Sequence, residues 1–396
     1  MTDILNLDST FTKNPLEILL RTQVEAPVSR ARMWGTVPVW LITRYEDAKA
    51  LLVDPRLSKD HARAVTLFPA DHEAAYVSEQ NGNMLASDPP DHTRLHELVV
   101  KAFTARSVER MRPRIEAIAD ELLDTVDATA PVDFLDAYAA PLPVAVISEL
   151  LGIPAEYRPG FVAMVNVFVN RSSRASIEQA SVELNGMLTA MIADKRAHPS
   201  DDLLSGLIHA GDVGERLTDK ELTATVFLLI AAGYDTTVNL IANGLLALLR
   251  NPAELAALRE EPSLMPSAIE EFLRFDSPVN ISTVRFTTEA IRVAGVTIPA
   301  DQFVMISLLA ANHDGARFDD PDRLDIRRKP NPHLAFGYGI HHCVGAALAR
   351  LEGRIAFERL LARFPRIELA TDRPLTYRYS TLMHGLTELP VRCHRD

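Results

Sequence analysis

Apolar residues form a nearly unbroken run between Leu222 and Leu249, and shorter amphipathic and extended stretches surround it. The run opens on Leu217-Thr218-Asp219-Lys220-Glu221-Leu222. Here Thr218 and Glu221 predict a capping box, and Leu217 and Leu222 predict a hydrophobic staple. Asn251-Pro252 stops the pattern after Arg250. The predicted helix is about 32 residues, roughly 48 Å at the helical rise. Such apolarity would suit a membrane, but Asp235, Asn239 and Asn243 are costly in lipid, so a central buried helix is expected. Its one polar interruption is Ala232-Gly233-Tyr234-Asp235-Thr236-Thr237. A hydroxyl at Thr236 can bond the Ala232 carbonyl one turn back, which bends helices and admits water.

A second helical period runs from Val344 to Phe364, with Val344, Leu348, Leu351 and Ile355 near the 3.6-residue spacing. Another helix begins near Pro266 and carries Glu271 and Arg274, and a third opens within Asp88–His96. Val293 to Ile298 and Phe303 to Leu308 read as strands, with turns at Ala294-Gly295 and Pro299-Ala300. Helical patterns dominate from Thr104 to Arg274, and strand-like runs gather near both ends. The fold class expected is mainly α with a small β region. Length alone would allow two or three domains. No Gly/Ser run, repeat or low-complexity block marks a split, so residues 1–396 read as one domain.

A net charge of −12 argues against a general nucleic-acid surface. The opening MTDILNLDSTFTKN is polar and reads as neither signal peptide nor anchor, which predicts a soluble cytoplasmic protein without a membrane segment. With only two cysteines, no disulfide framework is expected. Cys393 lies in the final polar tail and reads as a bystander. Cys343 is different: it stands in the glycine-rich turn Phe336-Gly337-Tyr338-Gly339-Ile340-His341-His342-Cys343-Val344-Gly345, just ahead of a helix. Free N–H groups and the positive end of the helix dipole favour a thiolate there. The residues alone leave three uses open: an inert buried thiol, heme ligation, and a metal site with His341 and His342. Consecutive positions point in different directions, which disfavours the last.

The ordered pattern Phe-Gly-x-Gly-x-His-x-Cys-x-Gly resembles the heme-binding signature of the cytochrome P-450 superfamily, with every fixed position filled. The resemblance implies heme b held by Cys343 as the axial ligand to iron, with Phe336 packed near the sulfur and His341 bonded to a heme propionate. A thiolate pushes electron density to iron and favours O–O cleavage. The Ala232–Thr237 hexapeptide resembles a second motif of the family, which implies that Thr236 supports oxygen activation and Asp235 feeds a proton relay. Glu271-Phe272-Leu273-Arg274 matches the family's Glu-x-x-Arg element, a buried pair behind the heme whose third member would be Arg327 or Arg328. Arg285 and His92 occupy positions that hold propionates in bacterial relatives. His96 stands where those relatives carry a propionate-binding arginine. Histidine is shorter and charges only near pH 6.5, so either the hold is weaker or another cation compensates. Two smaller departures are Asp301, where a glycine is usual, and His313, where an arginine is usual.

The resemblance covers essentially the whole chain, from Val39 to Val391. It implies a triangular prism enclosing heme between the long helix and the helix after the cysteine turn. It also implies a monomeric monooxygenase that uses O2 on a lipophilic small molecule, hydroxylating or epoxidising a macrolide, polyketide or steroid-like compound. Electrons would come from a separate ferredoxin and its NAD(P)H-dependent reductase, with Arg94, Lys101, Arg350 and Arg354 as a basic dock or simply a solvated face. Substrate walls would come from 66–85, 161–177, 280–284 and 380–384, including Val165, Val167, Phe168, Ile281, Leu382 and Met383. Rival readings keep the heme for ring coupling, peroxygenase or nitric oxide chemistry, or make the chain a non-catalytic recruitment module. Intact Asp235 and Thr236 argue against peroxide-only chemistry and against the module, and leave ring coupling open.

Overall fold

A computed structural model describes residues 4–395 apart from 9–10, 70–81, 155–156, 159, 162, 164–166, 168–173 and 211–215. The long helix spans Asp219–Arg250 without a break. Its start is the capping box read from sequence: Glu221 N–H donates to Thr218 Oγ1 at 3.2 Å, and Thr218 N–H donates to Glu221 Oε2 at 2.8 Å. Leu217 and Leu222 are both buried in the main core. It is the one helix among the described residues long and apolar enough to cross a membrane. Its residues from Leu222 to Leu248 are nevertheless mostly buried against other helices, among them Pro141–Leu151, Met265–Phe275 and Ala346–Arg363. The polar interruption does not break it, because Asp235, Asn239 and Asn243 all find surroundings inside the protein.

The β region is built from both ends of the chain. One six-stranded sheet runs in the order Leu5–Leu7, Val28–Met33, Val37–Ile42, Phe303–Ile306, Arg285–Thr287 and Leu57–Ser58. Val37–Ile42 pairs parallel with Phe303–Ile306, and Leu57–Ser58 pairs antiparallel with Arg285–Thr287. The expected turn at Ala294-Gly295 joins the hairpin Ile291–Val293 and Val296–Ile298. Asp301 sits at φ +59°, a left-handed conformation in which glycine is easiest and aspartate tolerable. It forms a 2.7 Å ion pair with Arg63.

Glu271 and Arg274 lie on the helix Met265–Phe275, and neither side chain has any exposed surface. Their bond is a two-pronged fork at 2.8 Å on each side. Arg274 also donates to the carbonyls of Asn312, Pro321 and Arg323. Arg328 is the third member: its Nε reaches both Glu271 oxygens at 3.2–3.3 Å, while Arg327 turns outward to Glu261. His313 accounts for its own place by bridging Asp322 Oδ1 at 3.0 Å and the Phe275 carbonyl at 2.8 Å. Removing one partner of such a buried pair costs about 3–5 kcal/mol, because the other charge is left without compensation. Glu271→Ala is therefore expected to lower the urea unfolding midpoint severely or abolish folding. Arg327→Ala, on the exposed pair, should lower the unfolding free energy by less than about 1 kcal/mol.

Candidate functional site

The glycine turn is shaped by two residues with positive φ, Gly337 at +71° and Gly339 at +80°. A side chain at Gly339 would also meet Val53 Cγ1 at 2.7 Å and the Leu52 carbonyl at 3.1 Å, so only glycine fits. The turn closes with Cys343 N–H donating to the Phe336 carbonyl at 2.9 Å. Cys343 lies two residues before Gly345, the cap of the helix Ala346–Arg363. Its side chain is accessible, yet protein surrounds it closely enough that burial pushes the thiol pKa up. The Gly345 N–H and the positive charge of Arg350 pull in the opposite direction. A thiol both enclosed and accessible opens onto interior space. One cleft of about 460 Å³ against it is lined by His92, His96, Val100, Phe103 and Ile340.

Beside this turn the structure gathers four of the residues expected from sequence. The His92 ring lies 4.3 Å from that of His341 and 5.4 Å from that of His96. Burial, then Lys59, His92, Arg285 and His96 in that order, drive the pKa of His341 down to about 2. His341 is therefore a neutral ring, able to donate from one nitrogen. Arg285 is buried on its strand, and burial lowers its pKa to about 10. Lys59 belongs to the same group and was not expected from the sequence. It follows the strand Leu57–Ser58 and is 7% exposed.

On the long helix, Thr236 Oγ1 donates to the Ala232 carbonyl at 2.7 Å, as its position suggested. Ala232 is exposed and Thr236 partly so, whereas Tyr234, Asp235 and Thr237 are buried, so one face of this turn borders open space. Asp235 is 1% exposed, and its pKa is raised by burial against the pull of Arg378. Arg378 Nη2 donates to Asp235 Oδ1 and, at 2.8 Å, to Asn239 Oδ1. Asp235 Oδ2 has no hydrogen-bond partner. Arg378 comes from the loop before the last strand and carries no local signal of this role. The loop is held close by Gly385, where a Cβ would lie 2.0 Å from Asn239 Oδ1.

Of the basic residues proposed to dock a partner, three are engaged within the chain. Arg94 pairs with Glu221, Arg350 grips Glu270 at 2.6 and 2.9 Å, and Arg354 meets Glu358 at 2.6 Å. The described substrate-wall positions include Ile281, fully buried, with Leu382 and Met383 half-buried. Val165, Phe168 and all of 70–81 lie outside the described residues.

The family model "Cytochrome P450" (written here P-450) matches residues 144–390. Cytochrome P-450 107B1 of Saccharopolyspora erythraea is 50% identical, over 98% of each chain. Vitamin D(3) 25-hydroxylase of Pseudonocardia autotrophica is 47% identical, over 96% of this chain and 94% of its own. Among solved structures, the tirandamycin C-bound monooxygenase TamI superposes with a TM-score of 0.92 at 45% identity, covering 98% of this chain and 100% of its own.

Removing the Arg378 charge leaves Asp235 buried and unpaired, so its pKa rises further. A carboxyl whose folded pKa exceeds its unfolded value binds more protons when folded, and stability then falls as pH rises between the two values. Arg378→Met should accordingly destabilise the protein more at pH 8 than at pH 5, as read from thermal unfolding midpoints.

Proposed function

The chain belongs to the cytochrome P-450 family and is a heme-thiolate monooxygenase, and on that premise we propose the residue roles that follow. Cys343 is the axial ligand, His92, Arg285 and His341 hold the propionates, and Thr236 with Asp235 handles protons. Residues 1–396 act as one domain, a monomer in the cytoplasm. The observation that carries this reading is Cys343 itself, a thiol at a helix N-terminus, accessible inside the protein and bonded by the Gly345 N–H. The donor set fits heme: one sulfur for the iron, and a group of cationic and imidazole side chains for two carboxylates.

When bound, heme would supply the oxygen chemistry, in which O2, two electrons and two protons place one oxygen atom in a C–H bond and release the other as water. The chain supplies the rest. The Gly345 N–H lowers the basicity of the sulfur it bonds, and the helix terminus favours its negative form. Thr236 is oriented by the Ala232 carbonyl, so its oxygen lone pairs are left toward the open face of the helix. Asp235 is fixed through Oδ1 by Arg378, which leaves Oδ2 as the oxygen that takes up and releases a proton. Burial raises the Asp235 pKa above the ordinary carboxylate value against the pull of Arg378, which favours proton uptake as well as release.

The substrate proposed is a large lipophilic molecule such as a macrolide, polyketide or steroid-like compound. Apolar Ile281, Leu382 and Met383 support this, as do relatives whose names specify vitamin D3 and tirandamycin C. Electrons come from a separate ferredoxin and its NAD(P)H-dependent reductase. With Arg94, Arg350 and Arg354 engaged internally, that partner meets a face on which Val100, Tyr338 and Ile340 are exposed.

The reduced carbon monoxide complex is expected to show the absorption band of a thiolate-ligated heme, and Cys343→Ser should abolish it. Thr236→Ala should retain heme and substrate-induced spin shifts while product formation falls by about 10²-fold, the low end for a lost acid–base group. The reducing equivalents should then appear as hydrogen peroxide. Coupling equal to wild type would remove Thr236 from the mechanism.

A further inference from the structure

Two buried cations, Lys59 and Arg285, lie together at the end of a β-ladder, and among the described residues no carboxylate forms an ion pair with either side chain. Ser58 lies opposite Phe286 in the antiparallel pairing of Leu57–Ser58 with Arg285–Thr287. Lys59 follows Ser58 just beyond the paired strand, and its charge and that of Arg285 are close enough to repel. Like charges held together away from water are destabilising, and these residues are 7% and 4% exposed. Lys59 Nζ donates to Thr283 Oγ1 at 2.6 Å. Arg285 Nη1 makes only long contacts, to Ser282 Oγ at 3.4 Å and the Thr283 carbonyl at 3.3 Å.

One carboxylate lies near, that of Asp88. Its Oδ1 accepts the Lys59 backbone N–H at 2.9 Å, and its Oδ2 accepts the Ser58 hydroxyl. It is felt by both cations but grips neither side chain. Burial and the Arg285 charge hold the Lys59 pKa well below the usual lysine range. The neighbouring rings of His92, His96 and His341 bring no negative charge. A buried charge without an opposite partner is disfavoured or shifts its protonation, so the arrangement is unfavourable until an anion enters it.

We propose that Lys59 is an anchor for the heme carboxylates, sharing them with Arg285 and His341 and supplying the fixed cation that His96 does not. The proposal rests on the heme reading above. Within it, the departure at His96 is made good by a residue that follows the strand Leu57–Ser58 rather than by one on the helix Asp91–Ala102.

The test uses the heme-loaded enzyme and follows heme transfer to excess apomyoglobin, together with the heme reduction potential. Lys59→Gln should release heme about tenfold faster or more, the scale of a lost hydrogen bond to a charged group. Its potential should fall, because a positive charge near the carboxylates disfavours the oxidised, more positive heme. Lys59→Arg should stay near wild type, and adding His96→Arg to Lys59→Gln should recover most of the loss. An unchanged release rate in Lys59→Gln overturns the proposal. So does faster release with an unmoved potential and no recovery in either arginine variant, which is the pattern of a purely structural lysine. A wild-type protein lacking the thiolate-type carbon monoxide band overturns the heme reading as well. A normal band with Lys59→Gln unaffected overturns this proposal alone.

Discussion

The Glu271–Arg274 fork is the interaction on which the placement of the cysteine depends. A bare pair three residues apart on a helix would do little. Here the fork has no exposed surface, and its unused donors and acceptors reach into the chain that follows. Arg274 takes the carbonyls of Asn312, Pro321 and Arg323, while Glu271 accepts the Asp325 N–H, Arg328 and the Asn331 amide. This irregular segment has few ladder hydrogen bonds of its own, so the buried charges give its backbone the partners it needs. Asn312 Oδ1 then accepts the Leu334 N–H, two residues before Phe336, and carries the fixed geometry to the edge of the turn.

What was legible in the sequence was local. The capping box, the glycine turn and the Thr236 hydroxyl each act within a few residues of themselves, so their chemistry is written in one short string. Arg327 and Arg328 were inseparable because adjacent residues look alike until a backbone turns one inward. Lys59 in Leu57-Ser58-Lys59-Asp60 resembles an ordinary polar strand end, and Arg378 sits among tyrosines with no motif. Their roles exist only through pairings with residues more than a hundred positions away. The basic residues illustrate the complementary reason: Arg94, Arg350 and Arg354 were visible as charges, but the glutamates that pair with them were not.

The site divides its electrostatic labour by position. Around His341 positive groups are concentrated and largely uncompensated, which selects an anionic edge. Around Asp235 the balance is struck within the chain, one carboxylate against one guanidinium, with a single oxygen left over. Cys343 lies at a helix terminus, where burial favours the neutral thiol and backbone donors favour the thiolate. Burial raises the stakes of every charge in this region, because a low effective dielectric strengthens both attraction and penalty.

The sheet that carries Arg285 and ends beside Lys59 joins strands from opposite ends of the chain, and this has a consequence for biosynthesis. Lys59 and the Thr283 hydroxyl it bonds are 224 residues apart. At ribosomal speeds of 5–20 residues per second, roughly 10–45 s pass between the emergence of the two. For that interval Leu57–Ser58 and the outer edge of Val37–Ile42 have no partner, and the cysteine turn is later still. Cofactor capture therefore belongs to the last stage of synthesis or to the period after release. A cell short of heme at that moment would accumulate chains complete in sequence but with an unmatched positive cavity at their centre.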